Sequence, residues 1–468
     1  MDMREKNNFT SSIGFVLTAA GSAVGVGNIW RFPYLAAKDG GGLFLIIYFL
    51  LVLTFGSTLL ITDIAIGRKT GKHAWYAFGS IDSRWNFLGK FTFLVPAIIM
   101  TYYSVIGGWI LKYAVSYIAG QHAAIAEDGY FTSFITDEIS PIFFMFLFLA
   151  VTSFIVYSGV EKGIEKFSRF VMPALLLIVI GIAVYSLTLS HTDSTGVTRS
   201  GLEGLAVYVI PDLEGMTFSR FLGILLDAMS QLFFSLSVSM GIMITYGSYV
   251  KKDVNLNKTI ASVQIFDSAV AFIAGMMIIP AIYVFSGTDG MASGPSLMFV
   301  SLPKVFESMG PFGNVIAIVF FVMMIFAALT SCISIMETLV ATNVHLFRTT
   351  RKKASIVIGT VSLAAAVIIC LGYNVFYFEL TLPNGATAQL LDVMDYISNS
   401  FLMPAISFLT AVFVGWVIKP EWIADEMRIG AEKFTLEKIY RVMIKFIVPV
   451  IMAVLFLQST GLLKMILG

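Results

Sequence analysis

Residues 21–33 read GSAVGVGNIWRFP and lie within an apolar segment that is long enough to cross a bilayer. Three glycines within seven residues weaken a helix here, because each costs about 1 kcal/mol relative to alanine. Pro33 removes a backbone donor, and Arg31 places a full charge at or near membrane depth. Irregular backbone in a membrane is tolerated only where it is buried in protein or lines a wet cavity. The stretch therefore predicts an ion and substrate site rather than a plain anchor.

The composition is typical of a protein with many membrane spans. Of 468 residues, 57% are hydrophobic and only 13% are charged, whereas soluble domains carry about 25% charged residues. The N-terminus lacks the layout of a signal peptide. Cys332 and Cys370 lie in apolar runs and the four histidines are scattered, so no disulfide framework or metal cluster is predicted. No organic cofactor and no nucleic-acid partner is expected.

Eleven apolar runs predict an all-α polytopic membrane protein with eleven transmembrane helices, because each run approaches the length that a bilayer requires. The predicted spans 1 to 11 cover residues 12–37, 42–67, 88–119, 142–159, 165–190, 220–250, 257–286, 313–347, 354–374, 389–417 and 440–463. A shorter apolar patch at residues 294–308 predicts an outer re-entrant segment.

Basic residues indicate the orientation of the chain. With the N-terminus inside, most lysines and arginines fall in inner loops. The outer loops then hold only Lys38, Arg199, Arg220, Lys304 and Lys464. This pattern predicts a multi-pass protein of the plasma membrane with a cytoplasmic N-terminus.

Span 6 is interrupted like span 1, because residues 235–241 read SLSVSMG. Hydroxyls compete for backbone hydrogen bonds, and glycine loosens a helix. Paired interruptions favour two inverted five-helix repeats with a binding site at the midplane, although small residues also serve close helix packing. The predicted organisation is a first repeat at 1–190, a solvated outer loop at 191–219, a second repeat at 220–417, and an inner linker with span 11 at 418–468.

These residues resemble the neurotransmitter:sodium symporter family. The stretch at 21–33 matches the first-helix signature of that family almost letter for letter. Further matches are Tyr102-Tyr103, QLFFSLS at 231–237, AALTS at 327–331 and LDVMD at 391–395. The resemblance covers about residues 4–417. With eleven spans the chain is similar to the bacterial hydrophobic amino-acid transporters of the family, which implies a transporter and not an enzyme.

The resemblance implies two sodium ions, which are hard cations that prefer oxygen ligands. The ligands implied for the first ion are the carbonyls of Gly21, Val24 and Ala327 and the hydroxyls of Thr330 and Ser331. Those implied for the second ion are the Ala23 carbonyl, the Asn28 amide oxygen, Ser235, Asp267 and the carboxylate of the substrate. A lone buried carboxylate is costly, so a neighbouring cation explains Asp267. Because Asp267 supplies negative charge that chloride provides in animal members, chloride-independent transport is expected.

Gly25 favours an amino acid over an amine, because monoamine transporters of the family carry an aspartate there. The substrate carboxylate would meet the amides of Val26 and Gly27 and the hydroxyl of Tyr103. The ammonium would meet the carbonyls of Ala23, Phe234 and Ser235. The implied side-chain pocket consists of Ile99, Tyr103, Phe234, Ser237, Met240, Ser331 and Ile335. It contains no charged side chain and includes an adaptable methionine, so a neutral, large aliphatic or aromatic L-amino acid is expected.

Gating residues follow from the same resemblance. Arg31 and Asp395 would pair across the outer vestibule above an aromatic lid of Tyr103 and Phe234, with Asp392 a weaker candidate. The inner gate departs from the family pattern, because Lys6, Phe9 and His345 occupy its positions and cannot form the usual salt bridge. Glu337 or Asp63 are alternative inner partners, although Glu337 is better explained by helix packing. Because histidine titrates near neutral pH, the hypothesis is that inner pH modulates release.

The leading hypothesis is a sodium-coupled symporter that works by alternating access. The alternative is a proton-coupled amino-acid transporter of the same fold, with Asp267, Asp395 or Glu337 as the proton carrier. A receptor or channel on the same fold is a third class. An enzyme is disfavoured, because no paired catalytic carboxylates, Ser/His dyad or metal-ligand spacing occurs.

Overall fold

The computed structural model describes residues 9–193, 196–287, 296–383, 385–430 and 433–463, and these are almost entirely helical. Nine helices in these ranges are long and apolar enough to cross a membrane. They are Gly42–Thr70, Ser83–Ile118, Ser140–Tyr157, Val160–Thr188, Leu256–Ser286, Pro311–Leu346, Arg351–Leu371, Leu390–Val417 and Glu437–Ser459. Lys6, Lys464 and the first two residues of the predicted re-entrant segment lie outside the described residues.

Spans 1 and 6 are broken, as the sequence predicts. Span 1 consists of Ser12–Ala23 and Val26–Lys38, which are bent by 63° at the break. Span 6 consists of Phe218–Leu236 and Ile242–Ser248. In its break Ser237, Ser239 and Gly241 have φ angles of 52°, 62° and 77°, a left-handed conformation that ends the first helix. In the described residues the bent pair of span 1 raises the number of candidate spans to ten, and the two helices of span 6 lie where the remaining span is predicted. The all-α polytopic fold is confirmed.

Two predicted helix starts differ from the structure by five residues. Span 3 begins at Ser83, where the Asp82 side chain accepts a hydrogen bond from the Arg84 amide at 3.0 Å. Span 5 begins at Val160 with a π-helical turn, Val160–Glu165. Both extensions contain charged residues, so the apolar pattern could not reveal them.

Part of the predicted solvated outer loop at 191–219 has regular secondary structure. Strands Ser190–Thr192 and Thr198–Ser200 form an antiparallel hairpin, and the helix Gly201–Val209 follows. Ser200 and Glu203 cap this helix through reciprocal side chain to backbone hydrogen bonds of 3.3 and 2.8 Å. The buried Tyr208 donates to the Phe272 carbonyl at 3.0 Å. The apolar face of this helix packs on span 7, and that packing orders it. The polar residues on either side of the helix had suggested a solvated loop.

Smaller elements connect the spans. The short helices are Ala74–Ile81, His122–Ala126, Tyr130–Thr136, Leu302–Ser308 and Glu421–Arg428. The other π-helical segments are Val52–Gly56, Leu297–Ser301, Tyr396–Leu402, Phe413–Val417 and Met443–Ile447. A second hairpin pairs Leu380–Thr381 with Thr387–Ala388.

Burial separates central from peripheral spans. Spans 2 and 3 bury 72% of their most apolar window, whereas spans 4, 9 and 11 bury 33% or less. Exposed leucine, isoleucine and phenylalanine side chains cover the peripheral helices, as a lipid-facing surface requires. The broken spans lie against spans 2, 5, 7 and 8, so the irregular backbone is buried in protein.

Candidate sodium and substrate site

The break in span 1 frees backbone groups in the middle of the fold. Val24 is extended, with ψ of 97°, and Gly25 follows with φ of −125° and ψ of −171°. The Gly25 amide donates to Asn28 Oδ1 at 3.3 Å instead of to the carbonyl of Gly21, four residues earlier. Val26 and Gly27 begin the next helix, so their amides have no intrahelical acceptor. Carbonyls and amides are thus both available beside Gly25.

The residues implied for the first sodium ion lie together. A Cβ atom built on Gly21 would lie 3.2 Å from Thr330 Cβ, so the two residues are in close contact. The Thr330 hydroxyl donates to the Ala327 carbonyl at 3.0 Å, and the Ser331 hydroxyl donates to the Ser22 carbonyl at 3.2 Å. Val24 is fully buried at the same helix end. Spans 1 and 8 therefore present an oxygen-rich cluster that suits a hard cation.

Three residues implied for the second sodium ion are joined by hydrogen bonds. Asn28 Nδ2 donates to Asp267 Oδ1 at 2.8 Å and to Ser235 Oγ at 3.1 Å. The Ser235 hydroxyl donates to Asp267 Oδ2 at 2.8 Å. Asp267 is fully buried, and both of these partners are uncharged. A bound cation would offset the cost of burying this carboxylate, so the residues fit a sodium ion. For that role Asn28 must turn its oxygen, which now faces Gly25, towards the ion.

A small cavity of about 30 Å³ lies beside the break. All seven residues of the predicted side-chain pocket line it, together with Ser22, Ala23, Gly25, Asn28 and Ile242. The Tyr103 hydroxyl is buried and has no hydrogen-bond partner among the described residues. Gly27 faces the Phe234 ring, which a Cβ atom at Gly27 would overlap. The cavity thus has one polar end at the break and an apolar end at Ile99, Met240 and Ile335.

A larger cavity of about 530 Å³, here called the vestibule, lies above the first one between the second half of span 1, the first half of span 6 and span 10. Tyr103 and Phe234 line both cavities, so these rings separate them, as the predicted lid requires. Arg31 and Asp395 face the vestibule but form no ion pair with each other in the part of the chain described. The predicted Arg31–Asp395 pair is therefore not formed in this conformation, in which the vestibule is open.

The opposite end of span 1 is closed by contacts that the sequence did not reveal. Phe9 is buried, with its ring centroid 5.3 Å from Phe15 and 5.8 Å from Tyr246. Glu165 accepts from the Thr10 amide at 2.9 Å, and Arg169 donates to the Ser11 hydroxyl at 2.7 Å. Phe9 thus lies at the predicted closure. The anchors Glu165 and Arg169 gave no signal, because charged residues in the first turn of predicted span 5 do not reveal which residues they contact.

The two alternative inner partners have other contacts. Glu337 is fully buried, forms an ion pair with Arg351 of span 9, and accepts from the Tyr249 hydroxyl at 2.7 Å. Asp63 accepts from the backbone amide of Ser239 at 2.8 Å, within the break of span 6. Glu337 therefore connects span 8 to span 9, as the packing hypothesis states. Asp63 accepts the hydrogen bond of a backbone amide that the break of span 6 leaves without a helical partner.

A pair of histidines lies near Arg351. The rings of His73 and His345 have centroids 4.7 Å apart. Burial, together with the neighbouring His345 and Arg351, lowers the pKa of His73 to about 3. His73 therefore stays neutral at physiological pH.

Comparison with known proteins defines the class of this chain as a membrane transporter. The family model described as the sodium:neurotransmitter symporter family matches residues 6–125 and 132–465. The chain therefore belongs to the sodium:neurotransmitter symporter family, and the resemblance seen in the sequence is confirmed. This is a family of transporters and not of enzymes.

Relatives agree with this assignment. The chain is 33% identical to the uncharacterized sodium-dependent transporter YhdH of Bacillus subtilis over 99% of this chain and 100% of that one. It is 25% identical to the sodium- and chloride-dependent GABA transporter 2 of Rattus norvegicus over 80% of this chain and 69% of that one. The crystal structure of MhsT in complex with L-phenylalanine matches with a TM-score of 0.84 and 34% identity, over 97% of this chain and 99% of MhsT.

Proposed function

We propose that this chain is a plasma-membrane symporter that couples sodium to the uptake of neutral L-amino acids with large aliphatic or aromatic side chains. The observation that carries the proposal is the cavity at the break of span 1. It has Gly25 and the buried Tyr103 hydroxyl at one end and apolar walls at the other, and none of the described residues that line it is charged. The amides of Val26 and Gly27 belong to the next turn of span 1 and are not part of this lining. The match to MhsT, whose structure holds L-phenylalanine, supports this substrate class.

The contacts proposed for the substrate follow from its two charges. The carboxylate binds the amides of Val26 and Gly27 and the hydroxyl of Tyr103. The ammonium binds the carbonyls of Ala23, Phe234 and Ser235, with Ser237 beside them. Two sodium ions occupy the oxygen clusters at Thr330 and Asp267, and each ion that moves down a potential of 100 mV contributes about 2.3 kcal/mol.

Transport is proposed to occur by alternating access. The repeats at 1–190 and 220–417 supply the two broken helices, and spans 1, 2, 6 and 7 move against the remaining core. With the N-terminus in the cytoplasm, the vestibule faces outward and the Phe9 end faces inward. Tyr103 and Phe234 close over the substrate, and Arg31 and Asp395 then pair above them.

Substrate size sets a condition on this proposal. A cavity of about 30 Å³ holds about one water molecule, and an aromatic side chain is far larger. Binding must therefore displace the Phe234 ring towards the vestibule or change the rotamer of Met240. Methionine has three rotatable bonds and adapts to different shapes, which agrees with a broad range of large apolar substrates.

Uptake into proteoliposomes tests the proposed function. We expect accumulation of labelled phenylalanine or leucine with an inward sodium gradient, and none when choline replaces sodium. Replacing chloride by gluconate should leave the rate unchanged, because Asp267 would supply the negative charge in place of chloride. Excess GABA or aspartate should not compete. Uptake that persists without sodium and follows a proton gradient would instead establish the proton-coupled alternative.

Gly25→Ala tests the predicted carboxylate site. A Cβ atom at Gly25 would lie 2.9 Å from Ser331 Oγ and 3.3 Å from the Tyr103 hydroxyl, inside the space that the substrate needs. We expect the substrate concentration at half-saturation to rise about tenfold, which corresponds to about 1.4 kcal/mol. The matched control is Gly223→Ala, whose added methyl group meets nothing within 4 Å. Equal affinities of the two variants would argue against a substrate beside Gly25.

A further inference from the structure

Each charge of the predicted outer gate is held by its own neutral partner. Arg31 Nη2 donates to the Ser230 hydroxyl at 2.7 Å. Asp395 Oδ1 accepts from Asn399 Nδ2 at 2.6 Å. All four side chains line the vestibule, which is open. The two opposite charges therefore face the same cavity while each is bound to a residue other than its predicted partner.

We propose that Ser230 and Asn399 are positioning residues that hold Arg31 and Asp395 apart and so stabilise the open vestibule. The inference rests on the proposed function, because it assigns a role within the same transport cycle. Closure then exchanges one hydrogen bond of each charge for the Arg31–Asp395 pair. Formation of the pair costs the Arg31–Ser230 bond and the Asp395–Asn399 bond, both of which are charge-assisted. The open and closed states of the vestibule are therefore nearly equal in free energy.

The local structure explains why these two residues can act in this way. Asn399 lies four residues after Asp395, within the π-helical segment Tyr396–Leu402, so both side chains point into the vestibule. The Asn399 amide also donates to the Tyr102 hydroxyl at 3.1 Å, while its buried oxygen has no partner in the described residues. Its two donors are thus both engaged, and one is directed at Asp395. On the other side, Ser230 is on span 6, so its bond to Arg31 joins the first half of span 6 to the second half of span 1.

Removing these partners should favour the closed state. We expect Ser230→Ala combined with Asn399→Leu to lower the substrate concentration at half-saturation about tenfold, which is about 1.4 kcal/mol. Turnover should fall by a similar factor, because reopening becomes slower. A variant with Ser230→Thr in place of Ser230→Ala keeps the hydroxyl. It should restore the half-saturation concentration and the turnover of the unchanged protein. Ser400→Ala is the control, since Ser400 lines the same vestibule and no hydrogen bond among the described residues joins it to either charge.

Accessibility of the vestibule supplies a second readout in the full-length protein. Gln458 is exposed in the vestibule, and the native Cys332 and Cys370 are buried. In a Gln458→Cys background, a thiosulfonate reagent should label the double variant several-fold more slowly in sodium without substrate. In an Asp395→Asn background, Asn399→Leu should have no further effect on labelling.

The outcomes separate the inference from the proposed function. Sodium-dependent uptake by the unchanged protein, with unaltered affinity and labelling in the double variant, would overturn the role of Ser230 and Asn399 alone. Weaker affinity that Ser230→Thr does not restore would also overturn it, because it would indicate general disruption. Absence of sodium-dependent uptake in the unchanged protein would instead overturn the proposed function.

Discussion

Replacing Asp267 by asparagine is expected to lower sodium-dependent uptake about hundredfold, which is about 2.7 kcal/mol. Asparagine keeps the shape of the side chain but removes the only charge in its cluster with Asn28 and Ser235. Breaking a buried charge pair typically costs about 3–5 kcal/mol, so a sodium ion opposite a neutral side chain would bind much more weakly. The measurement is initial uptake of labelled phenylalanine as a function of sodium concentration.

Asp253→Asn is the matched control for Asp267→Asn. Asp253→Asn changes an exposed carboxylate in the connection between spans 6 and 7, and it should leave the sodium dependence unaltered. If Asp267→Asn left the sodium dependence intact and removed only a dependence on proton gradient, Asp267 would be a proton carrier. The test therefore decides between the two coupling ions as well as the role of one residue.

Glu337→Gln is expected to destabilise the fold by about 3–5 kcal/mol, because it leaves the guanidinium of Arg351 buried without its counter-charge. Glu337 is fully buried, and Arg351 also donates to the Val156 carbonyl at 3.0 Å, so the arginine cannot simply turn to solvent. Equilibrium unfolding in mixed micelles measures the loss. We expect the folded variant to retain its sodium dependence.

A surface ion pair is the matched control for this change. Asp425 and Arg428 form an exposed pair, with 63% and 46% of their side-chain areas accessible. Asp425→Asn should therefore cost no more than about 1 kcal/mol. A Glu337→Gln variant that unfolds like the unchanged protein but no longer transports would show that Glu337 serves coupling or gating rather than packing.

Much of the fold could be predicted from the sequence because a bilayer imposes one strong condition, a run of about 20 apolar residues for each span. The breaks could be predicted too, since glycines and alternating serines are poor helix formers wherever they occur. The helix Gly201–Val209 could not, because its order comes from packing on span 7 and not from its own composition. The same holds for the charged first turn of span 5.

The residues of the site also divide into those that could be predicted from the sequence and those that could not. Residues near Gly25 were predicted because motif and chemistry coincide in one short stretch. The partners Ser230 and Asn399 were not, since nothing in a serine or an asparagine identifies the charge beside it. The anchors Glu165 and Arg169 were missed for a similar reason: the Thr10–Glu165 contact joins residues 155 positions apart. Contacts that depend on how helices are arranged leave no trace in local spacing.

The 63° bend of span 1 also has an electrostatic consequence. Each helix end carries about half an elementary charge from its aligned peptide dipoles, negative at the C-terminal end and positive at the N-terminal end. At the break, the C-terminal end at Ala23 and the N-terminal end at Val26 lie side by side, so one short stretch of backbone presents both polarities. A zwitterion and a sodium ion are complementary to that field. In the proposed function, main-chain dipoles would therefore bind both charges of the substrate, since none of the described residues that line the cavity has a charged side chain.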